Sequence, residues 1–104
     1  MTDEKEYEMI FCIINAGFSE TVMDAAREAG ARGGTVIRAR GTAGKDAEEL
    51  FQITVHPDKE VVLILVPKSI KDDVLTAIYR EAGISRDGQG IAFSVEVNKT
   101  AGLK

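Results

Sequence analysis

The sequence predicts an α+β fold of the ferredoxin-like type, in which two strand–helix–strand units share one antiparallel sheet. Three observations predict it. Four segments are rich in apolar and β-branched residues, which is typical of strands, and two segments carry apolar residues at helical spacing. Their order along the chain is strand, helix, strand, strand, helix, strand. The length of 104 residues indicates a single domain, residues 1–104.

The first half of the chain predicts two strands with one helix between them. Tyr7–Asn15 is almost continuously apolar, which indicates a central strand. Ser19 is expected to cap a helix over Glu20–Ala29, whose apolar residues recur on one side. The glycines that follow are expected to end this helix. A second strand is expected over Thr35–Arg40.

The second half predicts another strand–helix–strand unit. Its first strand is expected to begin near Phe51, to be interrupted at Pro57, and to be most apolar over Glu60–Val66. Ser69 is expected to open the second helix, with Asp72 as its partner in a capping box. The helix is expected to end at a glycine and to be followed by a polar turn and the last strand.

The sheet is expected to have one covered and one open face. The last strand is expected over Ile91–Val97, after the polar turn Arg86–Gly90. Right-handed crossovers would place both helices on the same face of the sheet. The strands carry so many Val, Ile and Phe residues that we expect the other face to be covered by another subunit.

Composition excludes several classes of protein. The net charge of −4 and the lack of a basic stripe with aromatic residues argue against nucleic-acid binding. Cys12 is the only cysteine, which suits a reducing cytoplasm, and its apolar surroundings predict a buried, inert thiol. The apolar run Met9–Ile14 is too short to cross a bilayer, and the polar start Thr2–Glu6 is not typical of a signal peptide. We therefore expect a cytoplasmic protein that does not insert into membranes.

The turn before the last strand is a candidate anion-binding site. Successive backbone N–H groups in a glycine-rich turn form a concavity that binds anions, and Gly88 and Gly90 allow a phosphate to approach closely. Arg86 and Lys59 would add positive charge. Two other interpretations stay open, because Asp87-Gly88 is also a favourable tight turn and Lys59 is also typical of a solvated strand start.

The order and spacing of four motifs resemble the PII signal-transduction family over nearly the whole chain. They are Gly33-Gly34-Thr35-Val36 at the second strand, Gly41 after it, Lys59–Pro67, and Asp87-Gly88-Gln89-Gly90-Ile91. The resemblance implies a homotrimer that binds adenine nucleotides, such as AMP, ADP or ATP, in clefts between subunits. It also implies a T-loop, about residues 41–50, that contacts a partner. Membrane transporters or channels and enzymes of nitrogen or carbon metabolism are the partners that the resemblance implies.

The resemblance also implies which residues of this chain form the sites. Ligand-binding residues would be Thr35, Gly41, Lys59, Arg86, Asp87, Gly88, Gln89 and Gly90. The T-loop residues that would contact the partner are Thr42, Ala43, Gly44, Lys45, Asp46, Glu48 and Glu49. For Arg38 and Arg40, ion pairs with a neighbouring subunit and ligand contacts both stay open.

This chain differs from the best-known PII proteins at several positions. Its T-loop is shorter, lacks the tyrosine that is nucleotidylylated and has no clear match for the glutamine that orients magnesium and 2-oxoglutarate. Gly90 stands where those members carry a phosphate-contacting lysine, and the C-terminal tail, residues 98–104, contains no arginine. We therefore expect AMP or ADP to compete well with ATP.

Enzyme chemistry and metal binding find little support in the sequence. No Ser-His-Asp or Cys-His set and no GxxxxGK[ST] motif is evident, and the single histidine, His56, supplies no metal-ligand cluster. Ferredoxin-like phosphatases need an arginine in the loop after the first strand, and Asn15–Ser19 has none. The alternatives that remain are a trimer without a signalling role and a protein that binds a small anion instead of a nucleotide.

Overall fold

The computed structural model describes residues 6–42, 57–84 and 90–103. These residues form a four-stranded antiparallel sheet and two helices in the predicted ferredoxin-like order. The elements are β1 (Tyr7–Asn15), α1 (Ser19–Glu28), β2 (Thr35–Arg40), β3 (Asp58–Pro67), a 3₁₀ turn (Lys68–Ile70), α2 (Lys71–Glu81) and β4 (Gly90–Val97). The strands lie in the order β2-β3-β1-β4.

β1 is a central strand, as its apolar sequence predicts. It pairs along its whole length with β3 and along most of its length with β4. Its side chains at even positions, from Glu8 to Ile14, are buried beneath the helices, whereas Met9, Phe11 and Ile13 are only half-buried. β1 carries apolar side chains on both sides, yet their exposure alternates, because successive side chains of a strand point to opposite faces of the sheet.

The core lies between the sheet and the two helices. Apolar side chains of β1 and β3 meet those of α1 and α2 there, and the thiol of Cys12 is buried among them. Burial raises the pKa of this thiol to about 12, since the thiolate would have to lose its hydration. The buried core residues include Ile10, Cys12, Ile14, Val22, Met23, Ala26, Val62, Ile64, Val66, Val74 and Ile78.

Both predicted helix caps are wrong. Val22 N–H donates to the carbonyl of Phe18, so α1 begins with Ser19 as a helical residue, and the N-cap residue Phe18 makes no side-chain cap. Ser69 lies inside the 3₁₀ turn, so it forms no capping box with Asp72, and α2 begins at Lys71. Ser19 is therefore the first residue of α1, and Ser69 lies in the 3₁₀ turn, two residues before α2.

Charged side chains form ion pairs at the end of the sheet at which β1 begins. Glu8 is buried, and its Oε2 lies 4.0 Å from Lys71 Nζ. Lys68 Nζ lies 3.7 Å from Glu6 Oε2 and 3.5 Å from Glu96 Oε1, and these carboxylates, Glu6 first, raise the pKa of Lys68. The pairs that involve Lys68 are exposed, so we assign this cluster to connecting β1, β4 and the start of α2, not to a binding site.

The face of the sheet that turns away from the helices is apolar and open in a single chain. Phe11 and Phe93 are partners across β1 and β4, and their rings stack with a centroid distance of 5.2 Å. Monomeric proteins rarely expose contiguous apolar patches larger than roughly a few hundred Å². We call this surface the open face; its apolar residues are Met9, Phe11, Ile13, Ile37, Val61, Leu63, Leu65, Ile91, Phe93 and Val95.

Gly90 has a backbone position that requires glycine. Its φ is +153°, and a Cβ there would lie 2.5 Å from the carbonyl oxygen of Ile13 and 3.0 Å from Ile14 Cγ2. The first residue of β4 therefore approaches β1 too closely for any side chain.

We expect Gly90→Ala to lower the free energy of unfolding by about 2–3 kcal/mol, because it combines an unfavourable φ with a backbone clash. Gly33→Ala is the matched control, since a Cβ at Gly33 has nothing within 4 Å. Urea denaturation measures both variants. Equal stability of the two would contradict the close approach of Gly90 to β1.

Candidate functional site

Three of the predicted ligand residues lie at one end of the sheet. β1 and β2 end there, at Asn15 and Arg40. β3 and β4 begin there, at Asp58 and Gly90. Gly41 follows the end of β2, Lys59 is the second residue of β3, and Gly90 is the first of β4. We call this edge the Lys59 end of the sheet.

Lys59 is held by a polar contact at the Lys59 end. Its Nζ donates a hydrogen bond to Asn15 Oδ1, with an N–O distance of 2.5 Å. Lys59 and Asn15 are register partners, and both lie on the same side of the sheet as the open face. Asn15 is a residue that we did not predict. Its only signal in the sequence is its place as the one polar side chain at the end of an apolar strand.

Gly41 lies beside the aliphatic part of the same lysine. Its N–H donates to the carbonyl of Pro57 at 2.7 Å, which fixes it beside the start of β3. A Cβ at Gly41 would lie 3.0 Å from Lys59 Cε and 3.5 Å from Lys59 Cγ. The glycine therefore gives the lysine stem room to lie against the backbone that leads into the T-loop.

Gly90 and Gly41 lie on opposite edges of the sheet. β4 is separated from β3 by β1, so Gly90 is two strand spacings, about 10 Å, from the strand that carries Lys59. Because Gly90 has no room for a side chain, it offers only backbone groups at this end of β4.

Thr35 does not meet these residues in a single chain. It pairs with Leu63, four residues along β3 from Lys59, which corresponds to about 13 Å. Thr35 is exposed and lies on the side of the open face, as Lys59 does. The two residues therefore face the same side of the sheet at different heights.

Arg38 and Arg40 lie on the other side of β2 from Lys59. Their partners in the register are carboxylates of β3, Glu60 opposite Arg38 and Asp58 opposite Arg40. Both arginines are exposed. They add no charge to the face on which Lys59 lies.

The loop after β1 does not form a free anion cradle. The N–H of Ala16 donates to the carbonyl of Asp58, that of Gly17 to Glu60 Oε1, and that of Phe18 to the carbonyl of Asn15. All three successive donors are satisfied within the chain, and Gly17 already binds a carboxylate. This arrangement argues against the phosphatase type of ferredoxin-like site, which needs these donors for its substrate.

Several predicted site residues lie outside the described residues. They include the remaining members of the glycine turn, Arg86, Asp87, Gly88 and Gln89, and most of the T-loop segment, Ala43, Gly44, Lys45, Asp46, Glu48 and Glu49. Thr42 is described and exposed. The start predicted for the third strand, near Phe51, also lies outside the described part.

The described residues hold neither a metal cluster nor a helical membrane span. Within 6–42, 57–84 and 90–103, no group of three or more His, Cys, Asp or Glu side chains is placed to hold a metal ion. None of the helices in these ranges has the length and apolar character that a membrane span requires.

Comparison of the fold with solved structures identifies PII proteins. The chain superposes on a PII-like signaling protein of Thermus thermophilus (TM-score 0.67, 14% identity, covering 89% of this chain and 87% of that one). It superposes on Arabidopsis thaliana PII bound to citrate (TM-score 0.67, 23% identity, 90% and 77% covered). It also superposes on the GlnK–ATP complex of B. subtilis (TM-score 0.68, 17% identity, 88% and 82% covered).

Comparison of the sequence with family models agrees with the fold. No curated protein sequence matches the chain significantly. The family model described as nitrogen regulatory protein P-II matches residues 7–104, which span every element of the structure from β1 to the C-terminal tail. The chain therefore belongs to the P-II family of nitrogen regulatory, signal-transducing proteins.

Proposed function

We propose that this protein is a homotrimeric cytoplasmic regulator that binds an adenine nucleotide between its subunits and signals through its T-loop. The observation that carries the proposal is the position of Lys59. Its ammonium group is held at the Lys59 end of the sheet, beside Gly41, from which the T-loop segment, residues 41–50, departs. A cation at the base of this segment can bind an anionic ligand and so couple ligand binding to the conformation of the loop.

Two of the related structures support an anionic ligand. The B. subtilis protein is a complex with ATP and the Arabidopsis protein is bound to citrate, and both molecules are polyanions. Lys59 is the residue of this chain that we assign to the phosphates, together with backbone N–H groups of the turn Arg86–Gly90.

The open face supports a site between subunits. Thr35 and Lys59 both lie on its side of the sheet, about 13 Å apart along β3. A neighbouring subunit that covers the apolar residues of this face would therefore border both of them. A nucleotide is long enough to reach from a phosphate contact at Lys59 to an adenine contact near Thr35.

We expect AMP and ADP to compete well with ATP. Charge-assisted phosphate contacts contribute about 1.5–3 kcal/mol each, and this chain has neither the lysine at Gly90 nor arginines in residues 98–104. Isothermal titration with the three nucleotides measures this order. ATP binding about a hundredfold tighter than ADP would contradict our assignment of the phosphate contacts.

The T-loop is proposed to change its population of conformers when nucleotide binds. Gly44 has no Cβ that would restrict the backbone, and Lys45, Asp46, Glu48 and Glu49 gain little from burial. The shift is limited by the difference in the affinity of the ligand for the conformers. A membrane transporter or channel, or an enzyme of nitrogen or carbon metabolism, is the partner that family membership favours.

Amide hydrogen exchange with and without saturating ADP tests the loop. We expect slower exchange over residues 41–50 when ADP is present. Protection of residues 86–90 with unchanged exchange over 41–50 would instead indicate a nucleotide binder without a switch.

A small-anion binder is the second candidate, since the ammonium group of Lys59 also suits a compact anion. Titration with bicarbonate and inorganic phosphate, in competition with ADP, separates the two. Binding of the small anion with no heat from any adenine nucleotide would favour this candidate.

A further inference from the structure

We infer that Asn15 is a positioning residue for ligand binding, which holds the ammonium group of Lys59 in place without neutralising its charge. This inference rests on the proposed function, because it concerns the same site. Asn15 is 6% exposed, and its Oδ1 accepts the hydrogen bond from Lys59 Nζ at 2.5 Å. A buried amide that faces a cation is a defined acceptor and not a solvated surface group.

Asn15 is itself held firmly by the loop that follows β1. Its carbonyl oxygen accepts the N–H of Phe18 at 3.3 Å, and the next N–H, that of Ala16, donates to the carbonyl of Asp58 at 3.0 Å. These two bonds connect Asn15 to the start of α1 and to the start of β3. The backbone of Asn15 is therefore fixed, so its side-chain amide can orient Lys59.

The lysine is held from two directions. Asn15 binds its Nζ, and Gly41 approaches its Cε and Cγ. A lysine side chain has four rotatable bonds, and ordering it costs conformational entropy. Because the fold has already ordered the side chain, a ligand that binds Lys59 meets a smaller entropic cost.

The charge of Lys59 stays available. An ammonium group has three N–H donors, and Asn15 accepts only one hydrogen bond from it. Among the described residues no carboxylate lies within 4.0 Å of Lys59 Nζ, and the adjacent Glu60 binds Gly17 N–H on the other side of the sheet. A neutral amide at this position orients the cation, whereas a carboxylate would also cancel its charge.

The geometry therefore assigns anionic oxygen atoms, such as those of a phosphate, to the two remaining donors of Lys59. The carboxylate of Asp58 lies on the other side of β3 and does not compete for these donors. Arg38 and Arg40 project from the same opposite side of the sheet and do not compete with Lys59 for the anion.

A double-mutant cycle separates positioning from a purely structural role. ADP binding is measured by isothermal titration for the wild-type protein, Asn15→Ala, Lys59→Met and the double variant. We expect Asn15→Ala to weaken ADP binding about tenfold when Lys59 is present, and to have no further effect in the Lys59→Met background. Equal effects in both backgrounds would overturn the inference, because Asn15 would then act independently of Lys59.

Asn15→Asp provides the matched test of charge. The carboxylate keeps the hydrogen bond to Lys59 but neutralises it, so we expect weaker ADP binding than in the wild type, with a smaller dependence on salt. Wild-type affinity with Asn15→Asp would overturn the inference. Thermal unfolding of each variant shows whether it is folded at the temperature of the titration.

A measurement without nucleotide keeps the inference separate from the proposed function. In ¹⁵N NMR spectra of the wild-type protein, we expect the ammonium protons of Lys59 to exchange slowly, and Asn15→Ala to remove this protection. Slow exchange in a protein that binds no adenine nucleotide would refute the proposed function but retain the positioning of Lys59. Rapid exchange in the wild type would overturn the positioning, even if ADP binds.

Discussion

Val95→Asp is expected to convert the proposed trimer to monomers at micromolar concentration. Val95 lies on β4 in the open face and is 48% exposed in the single chain, next to its register partner Met9. In one chain a carboxylate here still reaches water. In a trimer that buries this face, each Asp would be desolvated without a partner, which costs several kcal/mol per ion.

Light scattering after size-exclusion chromatography measures the change. Tyr79→Asp is the matched control, because Tyr79 is 55% exposed but lies on α2, in the helical layer. Far-UV circular dichroism should show that both variants retain the secondary structure of the wild type. We expect Tyr79→Asp to keep the mass of a trimer.

Two results would contradict the proposed assembly in different ways. A trimeric Val95→Asp protein would mean that the subunits associate through another surface. A monomeric wild-type protein would mean that the apolar open face is not covered by a second copy of the chain.

The fold was predictable because its signals are strong and repeated. β1 and β2 have the predicted bounds, and β4 differs by one residue, Gly90. These strands are rich in apolar and β-branched residues, so the preferences of neighbouring residues favour the same extended structure. The register was not predicted, since β1 is apolar on both sides and its sequence does not show which side is buried beneath the helices.

The helix starts were not predictable from hydroxyl residues alone. Ser19 and Ser69 precede apolar periodic segments, which is the usual signal of an N-cap. The carbonyl of Phe18, however, accepts the first helical hydrogen bond of α1, and Ser69 lies inside the 3₁₀ turn that precedes α2. Helical hydrogen bonding therefore starts before the residue that the pattern selects.

The candidate site was predictable only in part. Lys59 was chosen by family resemblance and by its charge, but its hydrogen-bonded partner Asn15 is 44 residues away in the sequence. No local pattern connects two such residues; only the antiparallel register of β1 and β3 does. Gly90 lies at the same end of the sheet as Lys59, and Thr35 lies on the same face, but neither touches it. Their roles stay predictions about a site that needs more than one subunit.

Lys59→Met is expected to weaken binding of ADP by about 10-fold to 100-fold, because a hydrogen bond to a charged group contributes about 1.5–3 kcal/mol. Methionine keeps much of the apolar stem that lies against Gly41, so the change removes mainly the charge and its donors. Asn15 Oδ1 also loses its partner, and because Asn15 is buried, this loss lowers the stability of the fold as well.

Isothermal titration of ADP at two salt concentrations gives the clearest measurement of the Lys59→Met variant. The wild-type affinity should fall as salt rises, and that of the variant should fall less, since one fewer positive charge meets the phosphates. Lys68→Met is the matched control: Lys68 is paired with Glu6 and Glu96 at the opposite end of β3, about 30 Å from Lys59. We expect this control to bind ADP with wild-type affinity. If Lys59→Met also did so, the phosphates would have to lie elsewhere, and the Lys59 end of the sheet would lose its role as the nucleotide site.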